Sequence, residues 1–343
     1  MHSDRPAHLL ERIEPTLPSS DYLDPARYRR ELAAIWYRSW LCVARSEDVA
    51  RERDFVTVQI GDQSILVCRD GDDRLHAFHN ACRHRGAELC SESSGRFRGR
   101  SIVCPYHGWT YALTGELLGA RHQLAQAEFR KQDYPLHGVA VGEWAGFVFV
   151  NLLADEAPAL ESALDDGPER LENWRIADLR IGHRLETTIA CNWKIFWENF
   201  SECFHCPSVH PELCRLVPTY GRALLDESDA PDTSSPHGEG APLAPGAVSW
   251  TLDGTSRLPA LPGLTPAEQD AGQTFVVQLP SMFVVAHRDY VRSVRMLPRG
   301  PERIDMVIDW LFAPETLERP DFDLEHCVAL GRLVVEQDAR VCE

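Results

Sequence analysis

The chain has 343 residues, 44% hydrophobic and 25% charged, ordinary values for a globular protein with length for about two domains. A formal charge of −17 argues against nucleic acid and anionic membranes as partners, and no stretch reaches the roughly 18 apolar residues of a membrane span. Eleven cysteines, an odd number spread over the whole length, fit a reduced cytoplasmic protein better than a disulfide framework.

The opening Met1-His2-Ser3-Asp4-Arg5-Pro6 lacks the apolar core of a secretory signal. Residues 24–39 read as a helix, with Pro25 in its first turn and Tyr28, Leu32, Ile35 and Trp36 on one face. From Trp40 the pattern turns to short strands. Residues 55–60 and 64–68 flank Gly61-Asp62 as a hairpin. Residues 75–78 lead into Cys82-Arg83-His84, and 101–103 into Cys104-Pro105-Tyr106-His107. Residues 109–113 and 146–150 continue the β pattern, so 40–152 reads as a small β domain with both Cys–His pairs at loop tips.

Two Cys–His pairs can hold a [2Fe–2S] cluster, with thiolates on one iron and imidazoles on the other, as in Rieske centres. The competing assignment is a Cys2His2 zinc site. Zinc motifs usually place at least two residues between paired ligands, whereas only Arg83 separates Cys82 from His84. Gly86 and Gly108 follow the two histidines closely, allowing the tight backbone that wraps a cluster. Such a cluster passes single electrons and has no open position for substrate. Substrate chemistry must therefore lie elsewhere in the chain.

Residues 160–174 read as a charged helix and 180–190 as a long strand. Cys191-Asn192 then caps a helix over 193–204. Residues 226–272, rich in Pro, Gly, Ala and Asp, read as a lid or a disordered loop. Strands follow at 274–279, 282–286, 290–297 and 304–312, and a last helix from about 322 to the end. That order predicts an antiparallel sheet gripping a helix, with a cavity between them.

Within 202–210 stand Glu202, Cys203, His205, Cys206, Pro207 and His210. Two histidines and a carboxylate with open positions form the facial triad of mononuclear Fe(II) oxygenases. His205 and His210 would diverge by about 140° on a regular helix, so a break at Pro207 is expected to bring His210 back. The carboxylate should come from another element, while Glu202 shares the face of His205 and is either a third ligand or a partner of that histidine. Cys203-x-x-Cys206 also admits zinc or thioredoxin-like chemistry. In mid-helix, without a second Cys pair nearby, these cysteines are expected to be packing residues.

The order Cys-x-His, Cys-x2-His, Asn192-Trp193-Lys194, Glu198-Asn199 and Glu202-x2-His205-x4-His210 resembles the Rieske non-heme iron oxygenases over nearly the whole chain. The resemblance implies an α+β chain: an N-terminal β-rich Rieske [2Fe–2S] domain (40–152) and a C-terminal helix-grip (START-like) catalytic domain (153–343), with 1–39 a helical segment packing on the latter. It implies that Cys82, His84, Cys104 and His107 hold the cluster, and that His205, His210 and Asp338 hold Fe(II). Asp338 is nominated because Glu336-Gln337-Asp338 matches the family's acidic stretch on the last helix; family members normally run on for some turns beyond the point where this chain stops. Asn199 and Glu202 are assigned to the catalytic machinery. Glu202 would bridge His205 to His107 of a neighbouring subunit in a homotrimer.

The resemblance further implies O2 and a small-molecule substrate as partners. Electrons would come from a separate NAD(P)H-dependent flavin and iron–sulfur reductase, in keeping with the lack of a G-x-G-x-x-G fingerprint here. Glu rather than Asp at position 202 is similar to the branch that oxidises N-methyl groups of quaternary amines. Trp197, Phe204, Trp250, Phe275, Phe283 and Trp310 are candidates for an aromatic cage around such a cation. The alternatives are an aromatic-ring dioxygenase, for which Arg288, Arg292 or Arg295 would bind a carboxylate, and a Rieske electron carrier with an inactive second site.

Overall fold

The computed structural model of the protein describes residues 16–121, 129–222 and 241–343. The chain divides into two compact units, Arg30–Ala163 and the stretch up to Arg29 joined with Leu164–Glu343. No helix among the described residues is long and apolar enough to cross a membrane.

The helix expected over 24–39 is shorter and changes winding. After α1 (Ser19–Leu23), α2 (Pro25–Glu31) passes into a π turn, Leu32–Trp36. Tyr37 N–H donates to Leu32 O at 2.9 Å, and this i→i+5 bond accompanies the burial of both Leu32 and Trp36.

The Arg30–Ala163 unit is built on strands β1 (Leu41–Arg45), β2 (Asp54–Ile60), β3 (Gln63–Arg69), β4 (Leu75–His79), β5 (Ser94–Arg96), β6 (Ser101–Val103), β7 (Thr110–Ala112), β8 (Leu117–Gly119), β9 (Gly138–Trp144) and β10 (Phe147–Asn151). Seven form an antiparallel sheet in the order β1-β10-β9-β4-β3-β2-β5, and β6-β7-β8 form a second one. The Gly61-Asp62 turn pairs Ile60 with Gln63, and Gly61 takes φ +57° there. One core cluster gathers Phe55, Leu66, Phe78, Trp109 and Tyr111 together with Cys82 and Cys104, so both cysteines are rooted in packed side chains.

The other unit carries an antiparallel sheet of β11 (Arg180–Ile189), β12 (Gln273–Gln278), β13 (Met282–His287), β14 (Val291–Gly300) and β15 (Arg303–Phe312), in the order β11-β15-β14-β13-β12. Its helices are α3 (Gly167–Leu171), α4 (Trp193–Phe200), α5 (Cys206–Val209), α6 (Pro211–Leu216), α7 (Pro218–Gly221), α8 (Pro266–Ala271), α9 (Pro314–Leu317) and α10 (Leu324–Cys342). Helix α10 starts with Asp323 accepting from His326 N–H and packs against β11, α4 and α6.

Two expectations need correction. The single helix over 160–174 is a 3-10 turn, Leu160–Ala163, then α3 and a second 3-10 turn, Glu172–Trp174, because Pro168 suits only a first turn and Arg175 ends the run at φ +48°. The helix from Trp193 ends at Phe200, not 204. Its start is as expected: Asn192 Oδ1 accepts from Lys194 N–H at 2.9 Å, while its Nδ2 donates to Tyr22 O and Pro301 O. Of the expected lid, 226–240 lies outside the described residues. The remainder carries α8, closed by a Thr265–Glu268 capping box, and the buried Trp250.

Candidate metal centres

The two Cys–His loops repeat one backbone geometry. Cys82 N–H donates to Ala87 O and Gly86 N–H to Cys82 O; Cys104 N–H donates to Trp109 O and Gly108 N–H to Cys104 O, all at 2.8–3.0 Å. Gly86 and Gly108 sit at φ +70° and +68°, where a side chain would be strained. The thiols of Cys82 and Cys104 are buried, at 3% and 2% exposure, whereas His84 is exposed and His107 half-buried. The imidazole rings lie 4.8 Å apart, and His84 stacks on Trp109 at 4.9 Å. Sulfurs thus point inward and imidazoles toward the surface.

This donor set fits a mixed-ligand [2Fe–2S] cluster, which the two buried cysteines and the two more exposed histidines would hold. Burial raises the Cys104 thiol, against the backbone N–H groups of Tyr106 and His107 and with the aid of Cys82 beside it, so a metal there would have to displace the Cys104 proton. Tyr111, absent from the sequence reading, places its hydroxyl 3.2 Å from Cys82 Sγ and accepts from Arg83 N–H at 3.1 Å.

In the other unit, His205, His210 and Asp338 bring one ligand atom each to within 4.8 Å of one another. His210 Nε2 lies 2.9 Å and His205 Nε2 3.6 Å from Asp338 Oδ1. The opposite nitrogens are held from behind: His205 Nδ1 by Glu202 at 2.6 Å and His210 Nδ1 by Gln337 at 2.8 Å. Outward Nδ1 bonds of this kind fix the tautomer that turns Nε2 toward a metal. Gln337 was not singled out from the sequence, although it directly precedes Asp338. Its own Nε2 donates to Glu212 at 3.1 Å. Asn199 Nδ2 donates to Asp338 Oδ1 at 2.9 Å, steadying the carboxylate.

The charges agree with a cation site. The Asp338 hydrogen bond, opposed by burial and aided by Glu202, pushes His205 up to about 9. Burial works to lower His210, but Asp338 and Gln337 outweigh it and the net shift is upward. Burial would raise Asp338, yet the two histidines hold it down at about 2. Two imidazoles thus gather protons around one carboxylate where a divalent ion would supply the positive charge.

The local chain path differs from expectation. The break does not fall at Pro207, which takes the first turn of α5 with His205 as its N-cap. Instead the chain turns at 201–204 and again at His210, bringing the imidazole rings to 5.2 Å. Cys203 and Cys206, expected to be packing residues, form a disulfide. With α4 ended at Phe200, Cys203 is no longer in mid-helix, and Cys206 N–H folds back onto Cys203 O. The other nine cysteines are not disulfide-bonded.

The triad opens into a cavity of about 380 Å³ between α10 and one face of the sheet. Phe275, Phe283, Val285, Arg292 and Val294 line it at alternate strand positions, and Trp250 and Tyr220 close another side. Of the six cage candidates, Trp250, Phe275 and Phe283 reach the cavity and three do not. Trp197 is buried with its Nε1 donating to Pro280 O, Phe204 is 52% exposed, and Trp310 is fully buried against His183. Phe200, not among the candidates, stacks on Phe283 at 4.0 Å and joins the wall. Of the three arginines, only Arg292 lines the cavity, since Arg295 is paired with Asp309 at 3.2 Å and Arg288 lies outside the wall.

Residues 39–130 match the family described as Rieske [2Fe-2S] domain, and 176–343 match the ring hydroxylating alpha subunit (catalytic domain). The chain is 31% identical to the glycine betaine monooxygenase oxygenase subunit of Chromohalobacter salexigens, over 96% of this chain and 78% of that protein. It is 30% identical to the chloroplastic choline monooxygenase of Arabidopsis thaliana, over 97% and 76%. A solved structure of the quaternary ammonium Rieske monooxygenase CntA with gamma-butyrobetaine aligns with a TM-score of 0.72 at 25% identity, over 96% of this chain and 83% of that one. The cofactors of the two matched domains are a [2Fe–2S] cluster and a mononuclear iron, which decides against zinc in the first domain.

Proposed function

Since the chain belongs to the Rieske non-heme iron oxygenases, we propose that it is the oxygenase component that oxidises an N-methyl group of a quaternary ammonium compound. The observation that carries the substrate class is the cavity: a metal triad at one side of a chamber whose wall includes Phe200, Phe275, Phe283 and Tyr220. Ring faces of this kind attract a desolvated cation. The two relatives named above act, by their names, on quaternary amines.

In this reading Cys82 and Cys104 hold one iron of the cluster and His84 and His107 the other. His205, His210 and Asp338 hold the mononuclear iron. Bound there, the iron supplies O2 activation and the cluster supplies electrons one at a time. The protein's own groups do the rest: Glu202 and Gln337 aim the imidazoles, Asn199 steadies Asp338, and the aromatic wall turns one N-methyl toward the triad while excluding water. The substrate consumes one O2, two electrons and two protons, giving water and an N-hydroxymethyl group. Its C–N bond then breaks to release formaldehyde, the nitrogen keeping the electron pair and the hydroxyl proton leaving. A separate NAD(P)H-dependent reductase carrying flavin and an iron–sulfur centre delivers the electrons, in the cytoplasm.

The test couples the loaded protein to a surrogate reductase and measures O2 uptake and formaldehyde. Glycine betaine, carnitine and choline form one set of compounds, and benzoate-type acids the other. Formaldehyde in step with O2 for at least one quaternary amine is expected. Uptake driven by aromatic acids alone, without formaldehyde, would replace this reading with ring oxygenation. The convergence of the triad supports the oxygenase reading over an electron carrier with an inactive second site.

Glu202 accepts from His205 Nδ1 with one oxygen and from Phe204 N–H with the other, and its side chain is still 32% exposed, which supports a further contact with an imidazole of a neighbouring subunit. We extend the reading to a homotrimer in which Glu202 joins His205 to the neighbour's cluster. Glu202→Gln is expected to keep both metals but slow their electron exchange at least about a hundredfold, since one charge-assisted bond on each side is weakened. Mixed trimers of a cluster-dead and an iron-dead chain should recover turnover. Full single-turnover oxidation by Glu202→Gln would remove it from the electron path.

A further inference from the structure

Arg292 on β14 is only 7% exposed, lines the cavity, and has a buried Nε with no hydrogen-bond partner. Among the described residues no carboxylate pairs with it. Two buried acids, one on the neighbouring strand and one in the turn before β14, are committed elsewhere. Asp309 is taken by Arg184 at 2.6 Å and 3.1 Å and by Arg295 at 3.2 Å. Asp289 accepts from Ser249 at 2.8 Å and Ser256 at 2.5 Å. His287, fully buried and held neutral by burial, adds no charge. Asp338 acts on Arg292 only through space, and burial pulls the guanidinium below its ordinary value.

An uncompensated guanidinium inside a protein is costly, and one is expected to persist only where something else completes it. The surroundings are shaped for it. A Cβ on Gly331 would stand 2.7 Å from Arg292 Nη1, so the mid-helix glycine of α10, a poor helix former, is what leaves the guanidinium its space. Trp250 sits with its ring 5.9 Å from Arg292 Cζ and carries a buried Nε1 that also lacks a partner, a second unsatisfied donor beside the first. Gly331 and Asp338 share one face of α10, seven residues or roughly 10 Å apart along its axis. The cation and the metal triad thus stand at opposite ends of a space fit for one small molecule.

We infer that Arg292 anchors a carboxylate of the substrate, so that the chain takes trimethylammonium carboxylates in preference to choline-type alcohols. The inference rests on the quaternary ammonium reading and narrows it: a bare cation meets a repelling charge in this cavity, whereas a zwitterion supplies the missing anion. Arg292 is a specificity-determining residue, and Gly331 positions it.

The test measures binding by calorimetry and by melting-temperature shift, with the holoenzyme under argon and glycine betaine, gamma-butyrobetaine, choline and benzoate as probes. At least one betaine should bind about tenfold or more tighter than choline. Arg292→Met should weaken that betaine by about 10- to 100-fold, the range for a charge-assisted pair, and Arg292→Lys should fall between. Without ligand, Arg292→Met should melt higher than the parent, because a buried unpaired charge is gone. Should Arg292→Met fail to fold, the comparison of betaine with choline on the parent protein still decides. Choline bound as tightly as the betaines, or a betaine affinity unchanged in Arg292→Met, overturns the anchor and leaves the quaternary ammonium reading standing. Benzoate bound while neither betaine binds, and lost in Arg292→Met, supports the anchor and overturns that reading instead.

Discussion

Replacing Asp338 with alanine is expected to lower bound iron from about three to about two atoms per chain, with the visible spectrum of the cluster unchanged and product formation below detection. Asp338 is the point on which both imidazoles converge, at 2.9 Å and 3.6 Å, and the sole carboxylate in the group. Without it, two neutral imidazoles remain, too few to hold Fe(II) with open positions. His205→Ala and His210→Ala should give the same iron count. Iron analysis beside the absorption spectrum checks all three. Glu202 provides the decisive control, because its carboxylate faces His205 Nδ1 rather than the common point. Iron retained in Asp338→Ala but lost in Glu202→Ala would transfer the ligand role to Glu202.

Cys82→Ala and Cys104→Ala should each remove the cluster entirely, taking about two irons per chain and the visible bands with them. Their sulfurs are buried in the core cluster that includes Trp109 and Tyr111, so the loss should also lower the melting temperature. His84→Cys and His107→Cys should keep a cluster but lower its potential by several hundred millivolts, on the order of the gap between Rieske centres and all-cysteine ferredoxins. A spectrum and potential unchanged in all four variants would refute the ligand assignment.

Sequence reasoning reached these groups unevenly, for physical reasons. Cys82, His84, Cys104 and His107 stand close together in short loops, so spacing and glycine placement reveal them. The strands of the second unit were legible because one face of each must alternate toward the cavity. Asp338 was different: it meets His210 across 128 residues, and only the resemblance singled it out. Gln337 and Tyr111 act through their neighbours' outward atoms, which no local pattern encodes. The break after Phe200 was missed because Glu202, Cys203 and Phe204 suit a helix well enough, and what opposes one is a tertiary arrangement, the turn that closes Cys203 onto Cys206. Trp310 shows the opposite error, since an aromatic residue on a cavity sheet can be wholly committed to packing.

The separation of His210 from Asp338 has a consequence for the unfolded chain. A metal held by both is a cross-link in the polymer sense, closing a loop of 128 residues. Closing a loop of that size removes denatured-state entropy worth on the order of 4–5 kcal/mol, by analogy with a covalent bridge of similar span. That sum rivals the whole net stability of many domains. Iron held by these two residues would therefore do for this half of the chain what a disulfide does for a secreted protein, but in a form that a chelator can undo.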